Sequence, residues 1–175
     1  GMELFRTLEH RLGHKEVIAE DLGMMTDTVR QLVKDSGYPN MKVLGFAFDP
    51  TGTSEHLPHN YEKNCVCYTG THDNETLMQM YDGMDKKTLA FTTDYLNNAH
   101  STREEIKWDF IRLAMLSVAD TCIVPIQDYL GLGQEARMNF PSTTGNNWKW
   151  RVGKADLTRQ LAKEILHLTK LSSRL

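Results

Sequence analysis

The stretch "CVCYTGTHDNET", residues 65–76, decides how the rest of the chain is read. Its first half is uncharged and rich in residues that favour extended backbone, with Val66, Tyr68 and Thr69 among them. Both alternating faces are apolar, the mark of a parallel strand covered by helices rather than of a strand with one wet side. The run then breaks at Gly70 and ends in His72, Asp73 and Asn74. Polar chemistry at the C-terminal tip of a buried strand is what parallel α/β folds place at their active rim.

The same module recurs on either side. Upstream, Leu4, Phe5, Leu8 and Leu12 mark an amphipathic helix that Gly13 stops, and "EVIAEDLG" predicts a short strand ending in Glu20 and Asp21. "TDTVRQLVKDSG" predicts a helix capped by Thr26 and ended by Gly37 and Pro39. "MKVLGFAFDP" predicts a near-continuous apolar strand ending in Asp49, followed by a loop rich in Gly, Pro and His. Downstream, "NETLMQMYDGM" and the segment Lys86–Ser101 predict helix, and a long helix is expected from about Thr102 to Ala119. "TCIVPIQD" predicts a last strand, irregular at Pro125, which has no N–H to donate. A polar loop and a final helix over about 156–171 complete the pattern.

No GxGxxG or GxxxxGK[ST] follows any of these strands, which argues against a nucleotide-binding doubly wound domain and leaves a (β/α) barrel. On that fold Glu20–Asp21, Asp49, His72–Asp73 and Gln127–Asp128 share one rim. An Asp after a strand commonly caps a helix or closes a loop; its recurrence at each strand end points to a site. Paired carboxylates without a metal motif suit glycoside chemistry. One group is kept protonated for the leaving oxygen and another meets the oxocarbenium-like charge. Tyr68, Asn74, Asn139, Trp148 and Trp150 supply amides and ring faces suited to sugars, although "NNWKW" reads equally well as core packing.

Composition sets limits. The 175 residues suffice for one domain, taken as residues 2–175 with Gly1 read as a tag scar. The net charge of −3 and the lack of a basic patch argue against a nucleic-acid partner. No apolar run is long enough for a membrane helix, and no signal peptide is evident, so no membrane partner and a cytoplasmic location are expected. Cys65, Cys67 and Cys122, an odd count without CxxC spacing, read as reduced core thiols. His56 and His59 lack a ligand-spaced carboxylate helix, so no metal is assigned.

At this level the blocks "VIAEDLG", "MKVLGFAFD", "NYEKNCVCYTGTHDNET", "IVPIQDYLGLGQEARMN" and "GNNWKWR" resemble, in order, the 4-α-glucanotransferases (amylomaltases) of glycoside hydrolase family 77. The resemblance runs from about Val17 to Arg151. It implies retaining transfer of α-1,4-glucan segments between maltooligosaccharide or starch chains, on a (β/α)8 TIM barrel, with no metal or organic cofactor. It makes Glu20 the general acid/base, Asp73 the transition-state stabiliser and His72 a donor-sugar contact. Phe46 matches an acceptor-side aromatic, and Asn139 a residue lining the sugar site; Asp21, Asn74 and Trp148 join the substrate-binding set.

One departure stands out. The family's nucleophile is an Asp in a block like "RIDHFRG", and nothing like it occurs in these residues. The chain therefore resembles the C-terminal half of the barrel, about strands 5–8. Alone it is expected to be an inactive fragment of an enzyme whose substrate is α-1,4-glucan or maltooligosaccharide. The alternatives are a non-catalytic glucan-binding half-barrel or one half of a split enzyme. Open sheet edges in such a half-barrel predict a homodimer or a domain-swapped assembly.

Overall fold

The structure is a computed structural model that describes residues 1–98 and 101–175. Helix α1 (Met2–Leu12) and helix α2 (Asp27–Ser36) precede strand β1 (Asn40–Val43). Strand β2 (Cys65–Tyr68) is followed by helices α3 (Leu77–Asp82), α4 (Lys86–Tyr95) and α5 (Arg103–Met115). Strand β3 (Thr121–Ile123), a short helix α6 (Ile126–Tyr129) and helix α7 (Arg159–Leu171) complete the order. Both strand pairings are parallel, in the order β1-β2-β3, so the expected α/β class with a parallel sheet is what forms.

The register explains the two faces. Lys42, Cys67 and Cys122 stand abreast, as do Val43, Tyr68 and Ile123. Side chains alternate along each strand, so these rows point to opposite sides. The row with the thiols meets the helices. There Cys65 and Cys67 join Leu77, Met78, Ile106, Phe110, Ile111 and Ala114 in the core. Phe110 is its hub, edge-on to Phe48 at 5.1 Å and to Tyr81 at 6.0 Å. All three cysteines are free thiols, Cys65 and Cys67 buried and Cys122 half-buried.

Helices α2 and α5 begin where the sequence says. Thr26 accepts from the Val29 amide and Gly37 ends α2 in the left-handed region at φ 69°. Thr102 and Glu105 close a reciprocal capping box on α5. At the other end of α5, Arg174 donates from Nε to the Met115 carbonyl at 2.7 Å and from Nη2 to that of Ser117 at 3.0 Å.

Several expectations are corrected. "EVIAEDLG" forms no strand; Ala19 alone bridges Asn40, and Val17 and Ile18 are exposed. A strand is defined by its neighbours, and these residues meet one partner only on the β1 side. The apolar run after Met41 stops being extended at Val43 and winds into a 3-10 turn, Leu44–Phe46. There the Gly45 amide donates to the Thr69 carbonyl. β3 ends two residues before Pro125, and Gln127 and Asp128 fall in α6. The helix expected over Lys86–Ser101 ends at Tyr95, and its reach over Ala99 and His100 lies outside the described residues. The α1 stripe is not buried, with Leu4 60% and Leu12 59% exposed.

Candidate active site

The site is built at the end of β2. Past Tyr68 the chain turns through Gly70–Thr76 before α3 begins. A Cβ at Gly70 would come within 3.2 Å of the Glu75 carbonyl oxygen, a close contact that the glycine avoids. The Asn74 side-chain oxygen accepts from the Thr71 amide at 2.9 Å and from the Thr71 hydroxyl at 2.7 Å. The Asp73 amide in turn donates to Thr71 Oγ1. Asn74 thus spends its carbonyl on the turn's shape.

At the tip, Asp73 Oδ1 accepts from Asn139 Nδ2 at 2.6 Å and lies 3.3 Å from His72 Nε2. Among the described residues Asp73 Oδ2 has no hydrogen-bond partner, and the carboxylate is about half exposed. The His72 ring lies against Trp148, with centroids 5.0 Å apart and planes tilted by 37°. Trp148 takes the left-handed region at φ 64°. It is held there by its amide donating to the Met138 carbonyl at 2.7 Å and by Arg151 donating to its own carbonyl. Residues far apart in sequence, His72, Asp73, Asn74, Asn139 and Trp148, therefore form one cluster.

Glu20 is exposed, next to the Ala19 bridge to the start of β1, and its charge adds to burial in raising the Tyr68 phenol above its usual range. Asp21 beside it is committed to the scaffold. Its Oδ1 accepts from the Met41 amide at 3.0 Å and its Oδ2 from Asn40 Nδ2 at 3.1 Å, which ties the Glu20 segment to β1. Phe46 is 46% exposed and packs edge-on to His56 at 5.6 Å, on the β1 side. His56 accepts from the Val43 amide through Nδ1, and burial lowers its basicity.

The expected rim is smaller than the sequence pattern. Asp49 lies beyond the 3-10 turn, exposed, and closes a turn by accepting from the Thr51 amide. Asp128 is buried, accepting from Thr69 Oγ1 at 2.5 Å and from the Leu77 amide at 2.8 Å. Burial pushes its carboxyl up to about 6 against the pull of those two bonds. Both are scaffold carboxylates. Sequence reasoning missed Arg137, which donates to the carbonyls of Asp73 and Asn139. The one available signal was its place in the same "EARMN" block as Asn139. Among the described residues no three His, Cys, Asp or Glu side chains are grouped to hold a metal ion. No described helix is long and apolar enough to cross a membrane.

The described residues thus form a parallel α/β sheet whose central strand carries at its tip a carboxylate held by an amide beside two stacked rings. The chain belongs to the family of 4-alpha-glucanotransferases of glycoside hydrolase family 77, whose model matches residues 1–157. It is 42% identical over 175 residues to the 4-alpha-glucanotransferase of Clostridium butyricum, covering 99% of this chain and 35% of that protein. It is 42% identical to the chloroplastic/amyloplastic 4-alpha-glucanotransferase of Arabidopsis thaliana, covering 99% of this chain and 30% of the relative. The amylomaltase from Streptococcus agalactiae, solved in complex with acarbose, superposes with a TM-score of 0.91 at 34% identity, over 98% of this chain and 34% of that one. The chain thus spans about a third of the length of the curated relatives it matches.

Proposed function

We propose that this chain carries the acid/base and charge-stabilising part of an α-1,4-glucan transfer site, on what corresponds to strands 5–8 of the family barrel. The observation that carries the reading is Asp73. One oxygen is fixed by Asn139, the other has no hydrogen-bond partner among the described residues, and the His72–Trp148 stack stands beside it. A carboxylate so held can face a developing oxocarbenium charge without reorganising as the charge forms. Glu20, exposed on the segment bridged to β1, is the group to protonate the leaving oxygen and then to deprotonate the acceptor hydroxyl. His72 and Trp148 engage the donor sugar, and the exposed Phe46 ring offers a face to an acceptor. Asn74 retains its amide N–H groups for hydroxyls, and Asp21 contributes by fixing Glu20.

A retaining transfer also needs a nucleophilic carboxylate roughly 5 Å from the acid/base. No residue in the cluster fills that role, so the 175-residue chain alone binds α-1,4-glucan without turnover. The test mixes it with the N-terminal two thirds of a 4-alpha-glucanotransferase relative and follows glucose release from maltotriose. Activity from the mixture, lost with Glu20→Gln, is the expected result. Activity of the chain alone that dies with Glu20→Gln would overturn the division of labour. A mixture whose activity survives that change would overturn the role of Glu20.

A further inference from the structure

We propose that Arg137 is a positioning residue that sets the Asp73 carboxylate by clamping two backbone carbonyls together. The inference rests on the reading of Asp73 as charge stabiliser and adds the group that fixes its geometry. Arg137 Nη2 donates to the Asp73 carbonyl at 3.0 Å, and Nε donates to the Asn139 carbonyl at 3.0 Å. The guanidinium also lies 4.4 Å from the centre of the Phe140 ring, and Nη1 is 3.8 Å from Glu75 Oε1. Its side chain is only 14% exposed.

The arrangement does something a simple ion pair would not. None of the guanidinium N–H groups bonds the Asp73 carboxylate; the charge is spent on carbonyls and on Glu75. A planar fork bridging two carbonyls fixes the spacing of two backbones that sequence leaves 66 residues apart. Asn139 has a short side chain, and its Nδ2 reaches Asp73 Oδ1 at 2.6 Å only if those backbones are held at that spacing. Arg137 thereby decides which Asp73 oxygen is occupied and which is presented. Lysine brings the charge but not the fork, so Arg137→Lys is as damaging to this function as Arg137→Gln.

The test uses the 175-residue chain, with Arg137→Lys, Arg137→Gln and Asp73→Asn beside wild type. The first readout is solvent exchange of the Asn139 side-chain amide protons by NMR. Both Arg137 variants are expected to accelerate it roughly tenfold or more, as expected when a hydrogen bond loses protection. Arg137→Lys keeps the charge by Glu75 and the contact with Phe140, so it tests the clamp even where Arg137→Gln folds poorly. The second readout is affinity for acarbose, which carries an amine, against neutral maltotriose. Mispositioning Asp73 weakens acarbose about tenfold more than maltotriose, equivalent to ~1.4 kcal/mol. Loss of mere structural support weakens both alike. Unchanged Asn139 exchange in both variants, or equal loss of the two ligands, overturns the inference. The proposed glucan site fails separately. It is overturned if wild type binds neither ligand, and the role of Asp73 if Asp73→Asn keeps the preference for acarbose. In either case amide exchange still decides the clamp.

Discussion

Asn139 Nδ2 meets Asp73 Oδ1 at 2.6 Å, a charge-assisted bond that joins the polar loop before the last helix to the tip of β2. On the proposed glucan reading, Asn139→Ala frees the carboxylate and lowers maltooligosaccharide affinity about tenfold, the scale of one charged hydrogen bond. Asn139→Asp sets a second carboxylate against the first and weakens binding further. Titration calorimetry ranks the three chains. An Asn139→Asp chain that binds as well as wild type would contradict the role given to this bond.

Asp128 predicts a particular pH dependence. Its carboxyl is raised in the folded chain to about 6, above its ordinary value near 3.8, chiefly by burial. The folded state therefore holds a proton that the unfolded state has released. The stabilisation is fully present below pH ~4 and is lost as pH rises through about 6, a change of roughly 3 kcal/mol at most. Asp128→Asn keeps an acceptor for the Leu77 amide and can donate to Thr69 Oγ1, with no charge to bury. Urea melts from pH 4 to 7 should show the variant gaining on wild type as pH rises. A constant difference between them rules the mechanism out.

The α5 cap gives a stability test independent of any function. Thr102→Ala removes the hydroxyl that accepts from the Glu105 amide, while the Thr102 amide still donates to the Glu105 carboxylate, and should cost about 1 kcal/mol. Chemical denaturation measures it directly. A loss under a few tenths would mean that the start of α5 is fixed by packing alone.

The sheet edge at β3 bears on assembly. Ile123 is 40% exposed on the face opposite the helices. β3 has no strand partner beyond β2 among the described residues. We expect a homodimer through such edges at micromolar concentration, and Ile123→Lys should shift it toward monomer. Light scattering on the two chains decides; a wild-type monomer at high concentration would end the idea.

Where local chemistry fixes structure, the sequence was readable. Thr26 and Gly37 bound α2 as their side-chain oxygen and left-handed φ require, and Thr102 starts α5. "CVCY" is buried on both faces and lies between two parallel neighbours. What escaped depends on partners distant in sequence. The extended run before Glu20 has a single bridge. Asp128 looked like a rim carboxylate because nothing local shows that Thr69 and Leu77 close over it. Within the site, His72, Asp73 and Asn139 were legible as types, whereas the two-carbonyl grip of Arg137 and the left-handed turn at Trp148 were not. Such contacts are set by three-dimensional closure, on which residue spacing is silent.

Asp128 binds Thr69 just before the Gly70–Thr76 turn and Leu77 just after it. The turn is thus a segment of fixed contour length, knotted at its base by one buried side chain. An added or deleted residue cannot be absorbed at that base and must displace the tip, where His72 and Asp73 stand. The core therefore tolerates changes of side chain around this turn far better than a change in the number of residues within it.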